Sequence, residues 1–379
     1  MTLLSIASKR RLLGAALLAL ALTGVGTRPS SAQWTVDRAN RGLVEIATSS
    51  TFLTDARMVE DLGDLLDDGQ TRRVIGVIGK GSVQDLADVK VLRGVDVGIV
   101  QTDVLERARA QRSPPGVESL WYIAKLYNAE LHLLARANIK TINDLAGKRV
   151  NFGLPGDGTG ITAARVFDVL KIRVDATAYD PAAALAKLRS GELAAIAEVT
   201  AKPAPLFQIL RPQDGMHLLA IPLRPELASA YIPARFTKED YPDLVSGEDR
   251  VDTVAVGEVL VAANLAPDSE RYRNIANFVD AFFTEFPKLL EGGYHPKWSE
   301  VNLAAELPNW RRFPAADQWI KRNGGGAAQP ATMSEQQLRD VFAKFLDERT
   351  KASGTSSMTP QQKADLFDQF KLWQEGKTR

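Results

Sequence analysis

Short apolar runs alternate with amphipathic helical patterns along most of this 379-residue chain, and that alternation restricts its fold more than any other feature. Residues 43–47, 74–78, 95–100, 131–135, 149–152, 193–199 and 218–221 read as short, mostly buried strands, being near-continuous runs of apolar and β-branched side chains. Between them, Met58, Leu62, Leu65 and Leu66 share one face of a helix over 56–66, and Val166, Phe167 and Leu170 share one over 163–170. Residues 104–110, 181–188 and 272–283 repeat the pattern. Strands separated by helices return in the same direction, which gives parallel sheets with helices on both faces.

A long apolar stretch, 251–262, follows a polar region at 237–250 and reads as the chain crossing back to its first sheet. Residues 131–135 are the outward crossing. The fold class expected is α/β: two doubly wound α/β lobes joined by a two-crossing hinge, with a C-terminal α-helical tail. Lobe I takes 40–135 and 251–320, and lobe II takes 138–245. A single domain with one long sheet is the alternative arrangement. After the Gly324-Gly325-Gly326 joint, Ser334, Gln337, Asp340, Phe342 and Phe345 recur as Thr359, Gln362, Asp365, Phe367 and Phe370. Each copy opens on a capping box, so 327–379 reads as a two-helix tail that docks on its own body or on a partner.

The first 32 residues stand apart. Lys9, Arg10 and Arg11 precede an apolar run from Leu12 to Val25, and Ser30-Ser31-Ala32 supplies small residues for cleavage. This is the pattern of a secretory signal, and the run is short of the about 20 residues that span a bilayer. The remaining chain carries 43 basic and 46 acidic residues, a balance that gives no basis for nucleic-acid binding. The chain has no cysteine, which suits an oxidising compartment. A periplasmic location, reached by a cleaved signal peptide, is expected.

The three histidines lack metal-ligand spacing; His132 and His217 sit in apolar runs and His295 in a loop. No Gly-x-Ser-x-Gly elbow, catalytic cysteine or paired-carboxylate spacing is present. Ligand capture without chemistry is therefore expected, with no enzyme activity, no metal and no cofactor.

Val150 to Leu170 contains glycines at 153, 156, 158 and 160 immediately before a helical pattern. Thr159-Gly160 stands where a Walker loop needs Lys-Ser/Thr, and the dinucleotide spacing also fails. The first turn of a helix leaves backbone N–H donors unpaired at the positive end of its dipole. Glycines let a small anion approach them, and Thr159 and Thr162 offer hydroxyls. A plain turn capped by Thr159 is the alternative. Ser82 and the Gln101-Thr102-Asp103 segment likewise follow strands and open helices, where α/β sheets bind ligands or where Ser and Asp simply cap.

Gly79-Lys80-Gly81-Ser82-Val83-Gln84-Asp85, Gly94 through Asp103 and Ile139 through Thr159, in that order, resemble a TAXI-type solute-binding protein of a TRAP transporter. Lys202-Pro203-Ala204-Pro205 and the segment from His295 to Ala305 resemble one branch of it. The resemblance implies two lobes closing on a small organic acid or amino acid. It also implies delivery to integral-membrane permease subunits driven by an ion gradient. By matching position, Ser82, Gln101 and Asp103 would face the ligand from lobe I, and Gly156, Gly158, Thr159 and Thr162 from lobe II. Lys202 would neutralise a second carboxylate. The family's glycine-rich segment after the first strand is replaced here by Ser49 through Asp55, which puts Ser49, Ser50 and Thr54 at ligand-facing positions. Asp55 there would repel a dianion and pair with an amine, so an amino acid is expected over a simple dicarboxylate. A sensory binding protein, signalling through the same cleft and the tail, is the alternative function.

Overall fold

The computed structural model describes residues 40–49, 54–245 and 250–323, with the single positions 359 and 361. The expected signal segment, Ser50 and, apart from those two positions, the expected two-helix tail lie outside the described residues. The chain divides into two compact units, 1–325 and 326–379; every element below belongs to the first.

The first βαβαβ unit is β1 (Leu43–Thr48), α1 (Thr54–Leu66), β2 (Arg73–Ile78), α2 (Ser82–Val91) and β3 (Val97–Gln101), followed by α3 (Thr102–Gln111). Then come β4 (Trp121–Arg136) and a second βαβαβ unit: β5 (Arg149–Asn151), α4 (Thr159–Val169), β6 (Asp175–Thr177), α5 (Pro181–Ser190) and β7 (Ala195–Thr200). A short helix α6 (Pro205–Gln208), β8 (Met216–Leu218), β9 (Ile232–Thr237) and β10 (Arg250–Ala262) complete the second half. The chain then adds α7 (Glu270–Leu289), β11 (Arg311–Arg312) and α8 (Pro314–Arg322).

The strand order β2-β1-β3-β10-β4-β7-β5-β6 contains the same arrangement twice. In each half the middle strand of the βαβαβ unit lies outermost, and pairing is parallel within the unit. Within the sheet the two halves are joined through β10 and β4, which run antiparallel to each other and to β3 and β7, respectively. Strand β4 is 16 residues long, about 50 Å of extended chain, enough to belong to both halves. Its first part pairs with β10 and its residues Glu130–Ala135 pair with β7. Residues 131–135 are therefore the far end of a crossing that begins ten residues earlier. Lys125, Asn128 and Glu130 interrupt the apolar run there, which hides the strand from a hydropathy reading.

Each half has its own core. Leu86, Val89, Val100, Leu105, Tyr122 and Val259 pack in one, and Leu134, Leu185, Leu188, Ile196, Phe207 and Tyr241 in the other. Two lobes follow, because apolar burial closes within each half while two strands bridge them. The expectation for the histidines holds at His132: it is fully buried, bonded to the Glu130 carbonyl at 2.9 Å and the Tyr241 hydroxyl at 2.7 Å. Burial drives its pKa down to about 3.

The segment after α7 is fastened beside the crossing strands. Trp298 Nε1 donates to Asp61 at 2.8 Å, and the buried Lys297 ammonium bonds Glu130 at 2.8 Å, Glu300 at 2.7 Å and the Asn128 carbonyl at 2.9 Å. Glu130 also accepts the Lys202 amide at 3.0 Å. Removing one member of a buried pair leaves the other charge uncompensated. Lys297→Met is expected to lower unfolding free energy in urea by about 3–5 kcal/mol, and adding Glu130→Gln to recover part of that loss.

Candidate functional site

The carboxyl ends of β1, β2 and β3 and of β5 and β7 point toward one another across the β4–β10 pair, so the turns leaving them converge. The lobes meet there directly. The Gly156 carbonyl accepts the Val83 and Gln84 amides, at 3.0 and 3.2 Å, from the first turn of α2. Asp103 Oδ2 accepts the Thr162 hydroxyl at 2.7 Å and the Tyr231 hydroxyl at 2.8 Å. Gly81 lies so close to the opposite turn that a Cβ on it would stand 3.0 Å from the Asp157 Cα. Its φ of 109° also suits only glycine. Gly158 fits against the Gln101 side chain.

This seam brings together Ser82, Gln101, Asp103, Gly156, Gly158 and Thr162. Ser82 Oγ accepts the Gln101 amide at 3.2 Å, which ties two strand ends of one lobe. Other expected site residues are committed elsewhere. The Thr159 hydroxyl accepts the Val199 amide at 3.1 Å inside its own lobe. Ser49 donates its amide and hydroxyl to Asp55 Oδ2, both at 2.6 Å. Thr54 is buried as the first residue of α1. The Lys202 ammonium bonds Asp240 at 2.9 Å and the Arg235 carbonyl at 2.7 Å.

The anion cradle expected of the glycine loop also takes a different form. The Thr159 amide at the start of α4 is capped by Asp157 Oδ1 at 2.9 Å, and the α2 donors are capped by the Gly156 carbonyl. The chain supplies its own acceptors to both helix ends, one of them across the seam.

Asp55 and Asp103 were expected at the site, but Asp85, Asp157, Glu198 and Glu258 were not. Asp55, Asp85, Asp103 and Glu258 from one lobe, and Asp157 and Glu198 from the other, are buried or enclosed around the seam. Among the described residues, no lysine or arginine forms an ion pair with any of them. Burial is the main cause that raises each carboxyl above its ordinary range, and repulsion between acids adds to it at Asp85, Asp157, Glu198 and Glu258. Asp157 raises Glu198, and Asp55, Asp103 and Asp157 raise Glu258, with the Gln101 side chain opposing. Burial, then Asp55 and Asp88, carry Asp85 from 3.8 to about 8. At Asp103 the hydroxyls of Thr162 and Tyr231, and more weakly Arg165, oppose the rise. A signal for part of this cluster exists in the sequence: Glu130, Glu198 and Glu258 are single acids inside apolar strands, where a charged side chain is costly unless something compensates it.

Two expectations follow. Asp85 keeps its proton in the folded chain up to about pH 8 but loses it on unfolding above 3.8. Its contribution is thus full below about pH 4 and is lost as pH rises through about 8. Asp85→Asn should raise the melting temperature more at pH 8 than at pH 5, the difference amounting to at most about 4 kcal/mol of stability; a pH series of thermal melts checks this. In Gly158→Val the new Cβ would lie 2.1 Å from Gln101 Oε1, so the side chain must move and the seam should part. Solution X-ray scattering should give a larger radius of gyration for this variant than for the wild-type chain, with an unchanged far-UV spectrum.

Several solved structures resemble the chain's trace. The alkanesulfonate-binding protein SsuA from Xanthomonas axonopodis pv. citri bound to MOPS has 15% identity, covering 80% of this chain and 93% of that one, at a TM-score of 0.44. The periplasmic aliphatic sulphonate binding protein SsuA from Escherichia coli has 15% identity over 80% and 87%, at 0.39. An ancestral arginine-binding protein bound to arginine has 14% identity over 66% and 97%, at 0.38. Residues 46–307, more than half of the sequence, match the NMT1-like family, and the chain belongs to that family.

Proposed function

We propose that this protein is an exported, periplasmic solute-binding protein that encloses a small ligand between its lobes and hands it to integral-membrane permease subunits. The observation that carries this reading is the seam: strand-end groups of both lobes meet across two shared strands. Ligand-coupled closure requires that geometry, because a ligand held by both lobes favours the closed arrangement over the open one. The ion-gradient-driven, TRAP-type partner is supported by the resemblance at 79–85, 94–103 and 139–159.

The ligand is a small organic acid or amino acid in this reading, and the seam chemistry favours the amino acid. A dicarboxylate would meet Asp55 and Asp103 with like charge and would find Lys202 engaged by Asp240. An ammonium group would instead be drawn to those carboxylates. Lobe I would run over 40–135 and 251–320 and lobe II over 138–245, with the ligand between Ser82, Gln101 and Asp103 on one side and the 156–162 turn on the other.

A thermal-shift screen of the chain without residues 1–32 tests the reading. A ligand at a hundredfold excess over its Kd stabilises by about 2.7 kcal/mol. At least one amino acid should raise the melting temperature more than 2-oxoglutarate does, with the shift lost in Gly158→Val. A full panel of acids and amino acids without a shift would overturn it.

A further inference from the structure

The geometry points to a ligand that carries net positive charge, an organic cation bearing amine or guanidinium groups, held in the seam by Asp55, Asp103 and Glu258 from one lobe and Asp157 and Glu198 from the other. This inference rests on the solute-binding reading and narrows it from amino acids in general to cationic ones and polyamines.

Two independent features carry it. The first is the excess of carboxyls. They come from five separate elements: the start of α1, the start of α3, β10, the turn before α4, and β7. None of them forms an ion pair with a basic side chain among the described residues. Glutamates 198 and 258 sit near the carboxyl ends of β7 and opposite Gln101 on β3, respectively. A carboxylate in such surroundings is costly unless a cation accompanies it.

The second is a set of unused acceptors, three of them on uncharged side chains. Gln101 is 4% exposed, its side chain faces Gly158 across the seam, and its Oε1 finds no hydrogen-bond partner. The hydroxyls of Thr48 and Thr200, at the last residues of β1 and β7, are buried and unpaired too. Asp55 Oδ1 and Asp103 Oδ1 are unpaired beside oxygens that are bonded. Each of these atoms can accept a hydrogen bond, the two hydroxyls being able to donate as well, and the Val83, Gln84 and Thr159 amides at the helix ends are already capped. A lysine-like or guanidinium group brings donors without acceptors, which is the complement of this set.

The spread of the carboxyls argues for an extended organic cation over a metal ion. Among the described residues no group of three acid or histidine side chains converges as a metal site would require.

Calorimetry on the chain without residues 1–32 distinguishes the outcomes, using L-arginine, L-lysine, putrescine and spermidine as cationic probes, L-glutamate and 2-oxoglutarate as anionic ones, and calcium chloride. At least one cationic probe should bind at least tenfold more tightly than either anion. Glu258→Gln and Asp55→Asn should each weaken it at least tenfold while the far-UV spectrum is retained, and Asp280→Asn on the outer face of α7 should not. Tighter binding of an anion, abolished by Gly158→Val, would overturn the cationic ligand and leave the solute-binding reading standing. So would cation binding that neither carboxamide variant weakens, or binding of calcium alone. Binding of none of these probes would overturn the cationic ligand, and the broader thermal-shift screen would then decide the solute-binding reading on its own.

Discussion

Two strands shared by both lobes are the constraint on which the rest depends. Strands β4 and β10 pair with each other along most of their length and then with different neighbours in each half. Twist relates the lobes through this ribbon, and register shifts beside Gly257 and at Leu260 interrupt its regularity. Because the parallel strands of both halves abut the same ribbon, their carboxyl ends face one gap. The position of the seam is thus a property of topology before any individual side chain is considered.

Polar chemistry is graded along the ribbon. At Glu130 a carboxylate is compensated by Lys297 and by the Lys202 amide, and that anchor fastens the segment after α7 to the crossing. A few residues away, at Glu258 and Glu198, burial is comparable but the ion pair is missing among the described residues. The same type of side chain in the same kind of strand is structural in one place and left without an ion partner in the other. That contrast separates a group that serves the fold from groups that await something.

Much of the fold was legible because apolar periodicity survives in short elements. β1, β2, β5, α1 and α5 fall within one or two residues of the patterns that announced them. The first ten residues of β4 were not, since a strand buried on both faces can carry Lys125, Asn128 and Glu130 once neighbours pair with them. β9 was hidden for a related reason: Pro233 and Arg235 lie in a strand that, among the described residues, pairs with β10 alone. At the site, strand-end motifs pointed to Ser82, Gln101, Asp103 and the 156–162 segment, and the structure brings them together at the seam. They could not show that Thr159 and Lys202 are spent on Val199 and Asp240, because those partners are 40 and 38 residues away in sequence.

By itself the sequence determined the α/β alternation, the two crossings and the glycine turns, because those follow from local periodicity and from backbone freedom at single residues. Only the tertiary structure decided the electrical character of the seam. Six acids scattered between Asp55 and Glu258 become one cluster through folding alone, and helix-end donors that look open in the sequence are closed by Gly156 and Asp157. Charge acts through distance in space, and the chain order gives no measure of that distance until the two lobes are brought together.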